Sequence, residues 1–117
     1  MRLPESLSKG IDLEKKFLLN YLAALKDKPW GFGASTKGNV LLQYCGIGPD
    51  KLTAIYDVNP SKEGCVTPGT GIPITATRPE GVSFLVLPWH FKQDILDRHP
   101  QDNFIFPLPQ VEIVNGK

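Results

Sequence analysis

One stretch, WGFGASTKGNVLLQYCGI from Trp30 to Ile47, constrains this chain more than any other. It reads as a short strand, a glycine-rich turn and a helix. Gly31 and Gly33 allow a tight turn and a close approach to the backbone that a Cβ would hinder. Ser35 or Thr36 then stands where an N-cap belongs, so unpaired N–H groups open at the start of the helix. Such a helix start attracts anions, and Lys37 adds charge from the first turn. With Gly38 the spacing is G-x-G-x-x-x-x-G, which is neither the dinucleotide fingerprint nor a Walker A loop. Packing alone can also demand glycines here, so spacing leaves two readings open: a ligand turn or a packing turn.

The 117 residues suit one domain with a core of its own, and an apolar content of 41% fits a folded chain. A formal charge of +1, with both signs scattered, gives no electrostatic case for nucleic acid or an anionic membrane. No apolar run reaches a membrane span, and MRLPESLSKG lacks a signal-peptide core. A cytoplasmic protein is the default expectation. Cys45 and Cys65 form no C-x-x-C pair, and His90 and His99 are the two histidines. Buried or incidental thiols are favoured over a disulfide or a zinc site, and no metal is expected.

Ahead of the turn, residues 12 to 27 predict the longest helix. Leu13, Phe17, Tyr21 and Leu25 recur at every fourth position, Leu18 and Leu22 widen the stripe, and Asp12 can cap the start. The second helix should run from about Thr36 to Cys45, with Val40 and Tyr44, and Leu41 and Cys45, paired toward the sheet. Gly46, Gly48 and Pro49 stop it. LTAIYDV, Leu52 to Val58, predicts a buried strand ending at Asp57, 24 positions after Gly33. In a dinucleotide fold such an acid takes a ribose hydroxyl; otherwise it bonds its own backbone at the strand end.

NPSKEGCVTPGTG, Asn59 to Gly71, excludes helix or central strand and has the character of a binding loop. Lys62 and the hydroxyls of Thr67 and Thr70 offer phosphate or sugar contacts. Ile72 to Thr75 predicts an edge strand, and VSFLVL, Val82 to Leu87, a central parallel one. A helix bearing Phe91 and Ile95 on one face follows, up to about Arg98. NFIFP and VEIV complete the strands, with Pro107 and Pro109 marking an exposed bend. Alternating strands and helices predict a three-layer, Rossmann-like α/β domain with a mostly parallel sheet and an additional N-terminal helix. Its centre should be the first and VSFLVL strands, with residues 1–29 as helix and linker and 30–117 as the domain proper. A crevice then opens where helices leave for opposite faces, walled by Trp89 and His90. A lone histidine such as His90 is more often structural than catalytic, and no partner is placed for acid–base work.

GFGASTKGNVLLQYCGI, YDVNPSKEG, TPGTGIPI and LVLPWHFK together resemble the C-terminal domain of sugar C-methyltransferases. The likeness covers about Trp30 to Val114, with all four motifs in order. It implies a Rossmann-like fold and a substrate of the dTDP-deoxysugar class, a nucleotide-sugar. It also implies a complete enzyme with a cysteine-rich zinc segment and a central domain that binds S-adenosylmethionine. Ligand-facing positions carried over from the resemblance are Gly33, Ala34, Ser35, Lys37, Gly38 and Asn39 in the turn. Asp57, Asn59 and Pro60 follow from the second motif, Thr67, Pro68, Gly69 and Thr70 from the third, and Pro88, Trp89, His90 and Phe91 from the fourth.

This sequence departs from that pattern in lacking the zinc segment, the S-adenosylmethionine domain and that domain's histidine and tyrosine residues. Cys65 also stands where many members are expected to carry a basic residue. The expectation is therefore a binding module without catalytic residues or a cofactor of its own, excised from a larger enzyme or serving a methyltransferase domain in trans. A small NAD-type dinucleotide protein is the alternative. A structural module that docks its first helix on a partner or a second copy, as a homo-oligomer, is the third reading.

Overall fold

A computed structural model describes residues 5–108 and 110–116, with side chains of the first helix described from Lys15 onward. The strands are β1 (Trp30–Phe32), β2 (Ile55–Tyr56), β3 (Ile74–Thr75), β4 (Ser83–Val86), β5 (Asn103–Phe106) and β6 (Glu112–Val114). They form one sheet in the order β3-β2-β1-β4-β5-β6, parallel except for the antiparallel pair β5 and β6. This is the strand order of dinucleotide-binding α/β domains. As the alternation predicts, β1 and β4 are its central neighbours.

Among the described residues, three α-helices cover the sheet: α1 (Glu5–Ala24), α2 (Thr36–Cys45) and α3 (Lys92–Arg98). Side chains alternate along a strand, so each central strand feeds both faces. Leu85 and Ile105 join Leu18, Leu22, Leu41, Leu42 and Cys45 under α1 and α2. Phe84, Val86, Phe104 and Phe106 turn the other way, onto Phe32 and Ile95 of α3. Edge-to-face contacts hold this aromatic layer, with the Phe32 ring 5.5 Å from Phe84 and 5.4 Å from Phe104. Two cores on opposite faces make the three layers.

Several local expectations are corrected. Helix α1 begins at Glu5, so Asp12 lies within it rather than capping it. The Leu13 side chain is outside the described residues. Of the two overlapping stripes on this helix, Leu18 and Leu22 face the core, whereas Phe17 is 53% exposed. On α2, Leu41, Leu42 and Cys45 face the sheet, and Val40 and Tyr44 lie outward. Phe91 is exposed because residues 89–91 form a 3-10 turn and α3 starts only at Lys92, so Ile95 alone of that pair is buried.

Strand β2 is shorter than predicted, yet ladder bonds reach Ala54, whose carbonyl accepts from Gly31 N–H at 2.8 Å, and Asp57, whose N–H donates to Thr75 O at 3.0 Å. The 59–71 loop contains one 3-10 turn, Pro60–Lys62, capped by Asn59 Oδ1 on the Ser61 N–H at 3.1 Å. It then doubles back on β3 through Thr67 N–H to Ile72 O, 2.9 Å, and Ile74 N–H to Cys65 O, 2.8 Å. The exposed edge of β3 is thereby covered. Pro107 is buried behind β5 instead of lying in an exposed bend, and Pro109 is outside the described residues.

Candidate functional site: a cleft at the start of helix α2

The sequence sets both ends of α2. Ser35, in extended backbone, caps it, with its Oγ accepting from Gly38 N–H at 3.0 Å and its carbonyl from Asn39 N–H at 2.9 Å. Gly46 ends it in the left-handed conformation, φ +67°, with its N–H turned back to Gln43 O at 3.2 Å. Thr36 and Lys37 follow the cap in a first turn whose N–H groups have no acceptor within the helix. Both side chains are exposed.

The turn before α2 is clamped from β2. Asp57 Oδ2 accepts from Ala34 N–H at 2.8 Å, and Oδ1 accepts from Asn59 N–H at 2.9 Å. Lys62, presented by the 3-10 turn that follows, donates to Ala34 O at 2.7 Å and lies 3.5 Å from Asp57 Oδ2. The Asp57 side chain is only 12% exposed, whereas that of Lys62 is 40% exposed, so water reaches the pair from the lysine side. The peptide groups of Ala34 are thus held on both their N–H and C=O sides.

The turn's glycines have steric causes. A Cβ on Gly31 would sit 2.7 Å from Ile55 Cγ1. On Gly33, φ +81°, it would sit 2.8 Å from Pro88 Cδ. On Gly38 it would run into Leu87, 3.1 Å from Cα and closer still to Cβ. Between the ends of β1 and β4 the space is therefore filled by Pro88 lying on Gly33.

Beside this turn lies an open cleft of about 320 Å³. The start of α2 supplies Ala34, Ser35, Thr36 and Asn39; the long loop supplies Lys62, Thr67 and Pro68. Leu42, Ile74 and Leu87 form its hydrocarbon floor. The Thr67 hydroxyl is buried and paired with Thr70 Oγ1 and with Ile72 N–H at 2.9 Å. Asn39 Oδ1 is shielded from solvent and has no hydrogen-bond partner.

Of the positions singled out in the sequence, Ala34, Ser35, Asn39, Thr67 and Pro68 meet at this cleft. Asp57, Asn59 and Pro60 belong to the clamp beside it. Gly33 and Gly38 pack on Pro88 and Leu87, and Gly69, φ +78°, on Gln43, whose amide donates to Pro68 O at 2.9 Å. Lys37 is at the exposed start of α2. Trp89 is wedged against both cores, while the exposed His90 and Phe91 rings lie 4.2 Å apart, tilted by 43°, on the 3-10 turn after β4. Thr36, Leu42, Ile74 and Leu87 were not among the predicted site residues, whereas Lys62, expected to offer a phosphate or sugar contact from the loop, lines the cleft. Their signal was ordinary: apolar positions facing a sheet and a lysine in a loop, brought together by tertiary structure.

The strand order defines an α/β domain of the Rossmann type, with its cleft at the carboxyl ends of β1 and β2. Residues 5–109 match the C-methyltransferase C-terminal domain family, and the chain belongs to it. It is similar to C-methyltransferase NovU of Streptomyces niveus, with 31% identity over 98 residues that cover 74% of this chain. The match spans 23% of the relative's length. Among the described residues, no three His, Cys, Asp or Glu side chains come together to hold a metal ion, and no helix is long and apolar enough to cross a membrane.

Proposed function

We propose that this domain holds a nucleotide-sugar of the dTDP-deoxysugar class for a C-methyltransferase. The observation that carries this reading is the cleft between the capped start of α2 and the 59–71 loop, at the carboxyl edge of the sheet. Diphosphate oxygens meet the first-turn N–H groups of α2 and the Lys37 ammonium, which favour an anion together. The sugar then extends over the end of β4, toward Trp89, His90 and Phe91. Methyl transfer from S-adenosylmethionine falls to a separate domain in cis or in trans, which this chain serves in the cytoplasm.

The 3-2-1-4-5-6 order favours a dinucleotide as the second reading. Against it, the glycine spacing G-x-G-x-x-x-x-G is not the dinucleotide fingerprint, and Pro88 lies on Gly33 where a dinucleotide's pyrophosphate would approach the turn. A two-dimensional amide NMR titration with dTDP, a dTDP-4-keto-deoxysugar, NADH and S-adenosylmethionine separates the readings. Saturable shifts with the dTDP compounds, focused on Ala34 to Asn39 and Lys62 to Pro68, are expected. Shifts with NADH and silence with the dTDP compounds would replace this assignment by the dinucleotide one.

A further inference from the structure

At the amino edge of the sheet, away from the cleft, the segments that lead into β4 and β5 meet. Asp102 Oδ2 takes the Arg78 guanidinium as an ion pair and lies 3.8 Å from His99 Nδ1, so one carboxylate oxygen faces both groups. The two are held very differently. His99 closes α3, with its N–H on Ile95 O at 3.0 Å and its carbonyl accepting from Asp102 N–H at 3.2 Å. Its ring stands edge-on against the aromatic layer, 5.3 Å from Phe32 and 6.3 Å from Phe104. Arg78 has no such seat: among the described residues, its bond to Asp102 is the one hydrogen bond or ion pair that ties residues 78–81 to another element.

We infer that His99, Asp102 and Arg78 form a proton-operated latch on the connection from β3 to β4. With the ring neutral, Asp102 holds Arg78 and the segment is fastened. Protonation makes the ring a second cation at the same oxygen, with Nδ1–H as a new donor and Arg78 repelled across it. The ring is fixed by backbone bonds and by two phenylalanines, so the guanidinium is the group that gives way. It is also the wetter partner, 34% exposed against 15% for Asp102, and a cavity of about 330 Å³ lined by Glu80 and Gln101 lies open beside it. Arg98 and Asp94, the charges that reach the ring from α3, act in opposite directions. Burial, and then Arg78, hold the imidazole below the ordinary histidine value against the pull of Asp102, so the latch is closed at neutral pH and opens on acidification.

The test is an NMR titration of the full chain from about pH 7.5 to about pH 4.5, following the His99 ring, the Arg78 Nε–H and the 15N relaxation of residues 78–81. The ring should titrate below about 6.5, and with the same midpoint the Arg78 signal should move to that of a free guanidinium. Order parameters of residues 78–81 should fall there from about 0.85 to below about 0.6, while the amides of Ala34 to Asn39 stay in place. Asp102→Asn should leave residues 78–81 mobile throughout, and Arg78→Gln should raise the His99 midpoint. A ring that titrates while Arg78 and its segment stay ordered would overturn the latch, as would a release that persists in His99→Gln. Should a variant fail to fold, the wild-type titration decides the matter alone.

Discussion

Replacing Gly38 by alanine sets two effects against each other. In an exposed helix the change adds about 1 kcal/mol of stability, because glycine has the greater backbone freedom to lose. Here the new methyl carbon would lie 2.9 Å from Ser35 Oγ and 3.1 Å from Leu87 Cα, and nearer still to Leu87 Cβ. Carbon atoms pack best at about 3.5–4.0 Å, so α2 must lift from the sheet. Leu87 cannot swing aside, since the clash is at its root and its N–H is tied to Phe32 O at 3.1 Å. Displacing Ser35 Oγ costs the cap, about 1 kcal/mol, and overpacking costs a further 2–3 kcal/mol. The net is a loss of about 2–3 kcal/mol. In a urea titration followed by Trp30 and Trp89 fluorescence, the midpoint should fall by about 1–2 M for a slope near 1.5 kcal/mol/M. A midpoint unchanged or raised would refute the close seat of α2 on β4. Undiminished stability with lost ligand binding would show instead that Gly38 is there for the ligand.

Burial, and after it the Arg78 guanidinium, hold the His99 imidazole below the ordinary histidine value, against the pull of Asp102 Oδ2 at 3.8 Å. The fold thus prefers the neutral ring, so stability should fall as pH drops from about 6.5 through the lowered folded value. His99→Gln should flatten that part of a urea-midpoint profile, and an identical slope would refute the assignment. Burial likewise pushes the Cys45 thiol up, outweighing nearby Lys15, while Cys65 is exposed. A thiol reagent such as DTNB should therefore react quickly with one equivalent and reach the second only on unfolding; two fast equivalents would contradict the burial. Lys37→Ala should weaken dTDP about tenfold, spare an uncharged sugar, and shift stability by less than about 0.5 kcal/mol. Equal losses for both ligands would remove its phosphate role.

Legibility in the sequence followed the range of the forces involved. Helix α2 was readable to its ends because Ser35 and Gly46 act within one turn of the residues they cap. The central pair of strands was readable because VSFLVL is apolar on both faces. On α1 the stripe was readable except at Phe17: Tyr21 and Leu25 pack on the core beside Leu18 and Leu22, and Phe17, at its edge, stays exposed. Phe91 misled because periodicity assumes an α-helix where the chain makes a 3-10 turn. At the site, the cap and its neighbours could be named from local spacing. The floor could not, because Leu42, Ile74 and Leu87 come from three separate elements.

The placement of Asp57 changes what the glycine turn can do. A carboxylate accepting the Ala34 N–H already occupies one of the donors that an anion would use, and its charge opposes a diphosphate beside it. Lys62, 3.5 Å away, offsets that charge and holds the Ala34 carbonyl, in the next peptide group. On the proposed function, attraction for phosphate therefore moves outward, to the start of α2 at Thr36 and Lys37 and to the Lys37 ammonium. With Gly33 and Gly38 consumed by packing, the proposed diphosphate contact rests on the start of α2 and the exposed Lys37. That placement predicts a domain whose affinity for nucleotide diphosphates weakens with salt while its affinity for an uncharged sugar does not, because ionic screening acts on the exposed Lys37.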